Sequence, residues 1–88
     1  MPAHTFSAQP QFLEDLIHWV ETEPRVAGRI LKLVEAVLRD PRAGMGKPEA
    51  LRGPFRGCWS RRITQEHRLV YRVTDTAVDF LQCRYHYE

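Results

Sequence analysis

Three residues of this 88-residue chain, Glu49, Arg68 and His86, are of the types that acid–base chemistry on an RNA phosphodiester needs. RNA can be cleaved through its own 2′-hydroxyl, which attacks the adjacent phosphorus. A protein that assists must take the 2′ proton, stabilise the crowded phosphorane oxygens and protonate the leaving 5′ oxygen. A carboxylate or a neutral histidine suits the first task. Arginine suits the second, because its charge persists and its fork matches phosphate oxygens. An imidazolium suits the third, with an unperturbed pKa of about 6.5. In this set a loop carries the carboxylate, and two strand-patterned segments carry the arginine and the histidine.

The positive charge is concentrated near this set. The stretch 58–71, CWSRRITQEHRLVY, holds Arg61, Arg62 and Arg68 among β-forming residues, with Arg72 one step beyond. Residues 52–72 carry six arginines against Glu66 alone, whereas the segments before and after are weakly acidic; the whole chain has a net charge of +2. Arginine grips phosphate bidentately. The cluster therefore fits either a solvated sheet face or a polyanion site, nucleic acid above all.

The elements that must position these residues can be read from periodicity. Residues 4–6 could form an edge strand. Ser7 offers an N-cap, and Phe12, Leu13, Leu16, Ile17, Trp19 and Val20 give one apolar face at helical spacing, which predicts a helix over 8–21. Pro24 suits a first helical position. Val26, Ala27, Ile30, Leu31, Val34, Val37 and Leu38 give a second stripe, ending near Arg39 because Asp40 precedes Pro41. The short connection makes an antiparallel helix pair. Gly28 could let the second helix approach its neighbour closely.

Residues 40–57 form an irregular segment that is either mobile or functional. It sets Glu49 on the stiffened run Lys47-Pro48, with Leu51 and Phe55 as pins to the core. Strands are expected over 57–64, 67–74 and 77–87, the first two joined by a turn at Thr64-Gln65-Glu66. Alternation puts Leu69, Tyr71 and Val73 on one face of the middle strand and Arg68, Val70 and Arg72 on the other. In the last strand it groups Leu81, Cys83 and Tyr85 against Gln82, Arg84 and His86, a grouping that a β-bulge would shift.

Composition narrows the rest. The length suits one domain, 1–88, with little stability to spare. The 43% hydrophobic and 27% charged fractions are ordinary for a globular chain. No apolar run is long enough to span a membrane, and MPAHTF lacks the start of a signal peptide, so a cytoplasmic protein is expected. Cys58 and Cys83 read as core thiols. His4, His18, His67 and His86 lack metal-ligand spacing with them, and no phosphate-binding glycine motif occurs, so neither metal nor cofactor is expected. Trp19 and Trp59 read as packing residues, although Trp59 or a C-terminal tyrosine could stack on a base.

Four segments together, GKPEAL at 46–51, GCWSRRITQEHRLVY at 57–71, CRYHY at 83–87 and DLIHWVETE at 15–23, resemble the signature of YoeB/Txe-type toxins in the RelE superfamily. The likeness covers nearly the whole chain, in order. It implies an α+β fold like that of microbial ribonucleases, with two N-terminal helices packed on a curved antiparallel sheet. It also implies a ribosome-dependent endoribonuclease that cuts mRNA in the A site of the 70S ribosome and so inhibits translation. The family's general base matches Glu49, its phosphate-binding arginine Arg68, its general acid His86 and the neighbouring aromatic Tyr87. Supporting positions fall on Arg52, Arg62 and Glu66. Contacts of Lys47, Arg52, Arg56, Arg61 and Arg62 with RNA would be phosphate positioning. The implied partners are a YefM-type antitoxin, operator DNA only through the antitoxin complex, and a second copy in a homodimer. The chain departs from the pattern in ending on Glu88 after Tyr87 and in the longer N-terminal MPAHTF. Two other readings need no Glu, Arg and His set: a ParE-type toxin that binds gyrase without cleaving RNA, and a plain RNA-binding module.

Overall fold

In a computed structural model, which describes residues 5–85, two helices pack on one face of a five-stranded sheet. Residues 1–4 and 86–88 lie outside the described residues, and with them His86 and Tyr87. The elements run β1 (Thr5–Ala8), α1 (Pro10–Thr22), α2 (Pro24–Arg39), β2 (Glu49–Ala50), a 3-10 turn (Gly53–Phe55), β3 (Cys58–Arg62), β4 (Arg68–Val73) and β5 (Ala77–Gln82). The sheet order is β1-β5-β4-β3-β2. Pairing is antiparallel except that β1 joins β5 in parallel, so the sheet is mixed. Ser7 accordingly belongs to a strand and caps no helix; its hydroxyl donates to Asp79 Oδ1 at 2.8 Å.

Both helix boundaries follow from proline. Pro24 opens α2, and Glu23 serves as the last cap of α1 and the first of α2. Asp40, extended at φ −154°, ends α2 ahead of Pro41. The core is built from Phe12, Trp19, Ala27, Ile30, Leu33 and Val37 against Leu69, Tyr71, Val78 and Phe80. The single apolar face expected of α1 is divided. Phe12 and Trp19 turn inward, whereas Leu13, Ile17 and Val20 are each about half exposed or more, at 55%, 48% and 54%. In α2, Leu33 is fully buried and Leu31 is exposed, the reverse of the expected stripe at those two positions.

A β-bulge in β5 sets its faces. Val70 pairs with Gln82 but Tyr71 pairs with Phe80, which leaves Leu81 as the extra residue. Val78 and Phe80 therefore face the core before the bulge and Cys83 after it, with Leu81 only partly buried. The strand ends at Gln82, short of the expected residue 87. Gly28 approaches nothing: a Cβ built on it meets no atom within 4 Å. The close-packing expectation fails there, and only the helix-propensity penalty of glycine remains. Gly28→Ala should thus stabilise the chain by about 0.5–1 kcal/mol, seen as a higher midpoint in urea unfolding with an unchanged slope.

Candidate active site

Alternation along β3 and β4 divides their side chains between the helix-covered face and the open one. Trp59, Arg61, Leu69 and Tyr71 lie on the helix side, as the pairs Trp59–Tyr71 and Arg61–Leu69 require once Leu69 and Tyr71 are in the core. Ser60 and Arg62 of β3, with Arg68, Val70 and Arg72 of β4, lie on the open side. Glu49 of β2 stands directly opposite Ser60, and Arg62 stands opposite Arg68. Residues directly opposite on one face have Cβ atoms about 5 Å apart. The result is a hollow of about 260 Å³ lined by Lys47, Pro48, Glu49, Ser60, Arg62 and Arg68. One carboxylate thus faces two guanidinium groups across a floor that includes Ser60. Residue type alone does not mark Ser60; its place two residues before Arg62 on an alternating strand is the signal that does.

Arg68 is oriented by the hairpin that precedes it. Thr64 Oγ1 accepts the backbone N–H groups of Glu66 and His67, which shapes the turn. Arg68 Nη1 then donates to the carbonyls of Thr64, Gln65 and His67 at 2.8, 3.0 and 3.1 Å. These bonds use a single nitrogen of the guanidinium and leave Nε and Nη2 out of the turn. Arg62 and Arg68 also border a second, open groove with Arg29, Ile63, Thr64, Gln65 and Glu66. Arg29 ties α2 to this hairpin by donating from Nε to the Ile63 carbonyl at 2.7 Å. Nothing in its helical context marked it beforehand. Arg52 and Arg56 flank the 3-10 turn, exposed and outside the hollow.

Arg61 is a correction. Its sequence context suggests an RNA contact, but the side chain is 0% exposed. Its Nε donates to the Tyr71 hydroxyl at 3.0 Å, Nη1 to the Met45 carbonyl at 3.0 Å, and Nη2 to the carbonyls of Asp40 and Ala43 at 2.6 and 3.0 Å. Tyr71 completes the cluster by donating to the Pro41 carbonyl at 2.8 Å. Burial pushes the Tyr71 phenol above its ordinary pKa, against the opposing pull of Arg61, so it stays neutral and able to donate. The segment that leads to Glu49 is therefore clamped by a buried cation. Gly46 continues the clamp: its carbonyl accepts from Arg62 N–H at 2.6 Å, at a φ of +87° and a place where a Cβ would meet Leu33 Cδ2 at 2.8 Å.

The two cysteines are buried and free. Burial, with Asp15 adding to it, pushes the Cys83 thiol up to about 12, so it carries no thiolate reactivity at neutral pH. Among the described residues no group of three or more His, Cys, Asp or Glu side chains is placed to hold a metal ion.

The family model described as a YoeB-like toxin of a bacterial type II toxin–antitoxin system matches residues 8–87. The chain belongs to that family. It is 50% identical to the toxin YoeB of Streptomyces coelicolor over 74 residues, which cover 84% of this chain and 88% of the relative. Among solved structures it is similar to a YoeB/ParE toxin from Agrobacterium tumefaciens, with a TM-score of 0.88 and 40% identity, covering 94% of this chain and 99% of the other. A YoeB dimer from Staphylococcus aureus matches at a TM-score of 0.86 and 35% identity, covering 97% and 99% of the two chains. The heterotetrameric YoeB–YefM toxin–antitoxin complex from the same organism matches at 0.84 and 35%, covering 96% and 98%. The YoeB-like fold thus brings Glu49, Arg62 and Arg68 to one hollow, and the YoeB-like chain holds Arg61 apart from it.

Proposed function

We propose that this YoeB-like toxin is a ribosome-dependent mRNA endoribonuclease that cleaves in the A site by general acid–base catalysis. The observation that carries the reading is the hollow in which Glu49 of β2 faces Arg68 of β4. Glu49 takes the 2′ proton as the 2′ oxygen bonds to phosphorus. Arg68 stabilises the phosphorane oxygens through the guanidinium nitrogens that the turn leaves out. His86 gives a proton to the 5′ oxygen as its bond to phosphorus breaks, and Tyr87 supports it. The products are a 2′,3′-cyclic phosphate and a 5′-hydroxyl end. Lys47, Arg52, Arg56 and Arg62 are exposed and hold RNA phosphates, with Glu66 at the edge of the site.

The test is cell-free translation with the protein added: the message should be truncated within its translated region. Intact message with translation unaffected, together with inhibition of gyrase, would favour the ParE-type reading, which needs no carboxylate–arginine hollow. Binding to ribosomes should weaken steeply with salt, because each neutralised phosphate releases counterions, at a log–log slope of roughly −0.7 to −0.9 per contact. A salt-independent affinity counts against these arginines and Lys47 as phosphate ligands.

We further propose that the toxin acts in the cytoplasm, pairs with a YefM-type antitoxin and forms a homodimer, reaching operator DNA only through the antitoxin complex. The staphylococcal dimer and the YoeB–YefM complex support the two protein partners. The exposed apolar side chains Leu13, Ile17 and Val20 of α1 are surface that a protein contact would cover.

A further inference from the structure

Strand β5 ends at Gln82, yet residues 83–85 are held by bonds from other elements. Side chains take over the bonds that a neighbouring strand would make. Asp15 Oδ2, on a side chain 5% exposed, accepts the Cys83 N–H at 3.0 Å. Trp19 Nε1 donates to the Cys83 carbonyl at 2.9 Å. Gln82 Nε2 donates to the Arg84 carbonyl at 3.2 Å. At Tyr85 both backbone groups are held from the start of β4: its N–H donates to His67 Nδ1 at 2.6 Å, and its carbonyl accepts from Arg68 N–H at 3.1 Å. Tyr85 has φ +66°, a left-handed conformation that is unfavourable for a non-glycine residue and persists only where neighbours impose it.

We propose that His67 is a positioning residue: its Nδ1 anchors the left-handed turn at Tyr85, the residue that precedes the proposed acid in the sequence. The inference rests on the nuclease reading above, since His86 and Tyr87 are the acid and its aromatic neighbour there. Three observations converge on His67. First, Nδ1 accepts the Tyr85 N–H, a role that requires this nitrogen to carry no proton. Second, the ring stands edge-on to Trp19, with centroids 4.7 Å apart and planes at 78°, on the same tryptophan that holds Cys83. Third, the His67 carbonyl accepts from Arg68 Nη1 and from the backbone of Ile63 and Thr64. One residue thereby orients the phosphate-binding guanidinium through its main chain and the C-terminal turn through its side chain.

Two substitutions separate this role from packing. His67→Phe keeps an aromatic ring against Trp19 and removes the acceptor. His67→Asn removes the ring and retains an oxygen near the Nδ1 position. His67→Phe should slow single-turnover mRNA cleavage on programmed ribosomes by roughly 10- to 10²-fold, the scale of a misplaced catalytic group, with ribosome affinity unchanged. His67→Asn should recover most of that loss. Nitrogen-15 NMR of the wild-type chain should show an unprotonated Nδ1 on His67, coupled across the hydrogen bond to the Tyr85 amide. The proposal is overturned if His67→Phe cleaves as fast as wild type, if His67→Asn is as slow as His67→Phe, or if Nδ1 carries the proton. A wild-type chain that cleaves no message sinks the nuclease reading by itself, and the nitrogen-15 spectrum then still decides whether the anchor exists.

Discussion

Arg68→Ala is expected to cleave mRNA on programmed ribosomes at least about 10²-fold more slowly than the wild-type chain while binding them nearly as well. In the proposed reaction its guanidinium stabilises charge that appears only in the transition state, and loss of such a group lowers the chemical rate more than binding. Arg68→Lys should restore little, because a point charge lacks the fork that meets two phosphate oxygens. An ammonium spent on the three turn carbonyls that Nη1 holds has no second nitrogen left for the phosphate. Glu49→Ala and His86→Ala should each lose on the order of 10²–10⁴-fold, the usual range for acid–base groups. Because the three act on one transition state, a double variant should lose far less than the product of its singles. The measurement is single-turnover cleavage, with ribosome binding assayed separately. Near-wild-type rates in all three alanine variants, with normal binding, would mean that the chemistry assigned to them is wrong.

Arg61→Ala should unfold the chain readily, and Arg62→Ala should hardly change its stability. The two arginines are neighbours on β3, yet one is fully buried and the other exposed. Removing the Arg61 side chain leaves the carbonyls of Asp40, Ala43 and Met45 without their donor. It also strands the buried Tyr71 hydroxyl as an acceptor, at about 1–3 kcal/mol for a group shut away from water; the part-buried carbonyls add less, and the emptied volume adds a cavity term. A loss of about 3 kcal/mol or more is a large share of the 5–15 kcal/mol typical of a domain. Arg62→Ala, on the surface, should stay within about 0.5 kcal/mol and weaken RNA binding instead. Urea unfolding beside ribosome binding checks both. An Arg61→Ala variant that unfolds like wild type but has lost ribosome affinity would overturn the buried-clamp assignment.

The helices were legible because their causes are local. Pro24 and the Asp40-Pro41 step act on adjacent backbone dihedrals, and the apolar spacing of α2 repeats with the helix itself. The strands of the hairpin were legible for the same reason, and so were the chemical types of Glu49, Arg68 and His86. Which side of each strand is covered is not a local property. Alternation puts Arg61 and Arg62 on opposite faces, but two arginines carry no mark of which one turns inward. That was decided by the helices closing over Leu69 and Tyr71 and by residues 40–46 wrapping the guanidinium with carbonyls. The division of the α1 stripe likewise follows from where α1 meets β5, since six apolar residues in the sequence exceed what one packed face can take. The parallel addition of β1 arises from pairing between segments about seventy residues apart, a relation that no short window of sequence contains; the bulge at Leu81 lies between the neighbouring strands β4 and β5, where strict alternation does not mark it. The sequence by itself therefore determined the helices, the central hairpin and the chemical types on offer. The tertiary structure alone decided which charges face the open hollow and which serve as internal struts, because burial depends on what packs from a distance.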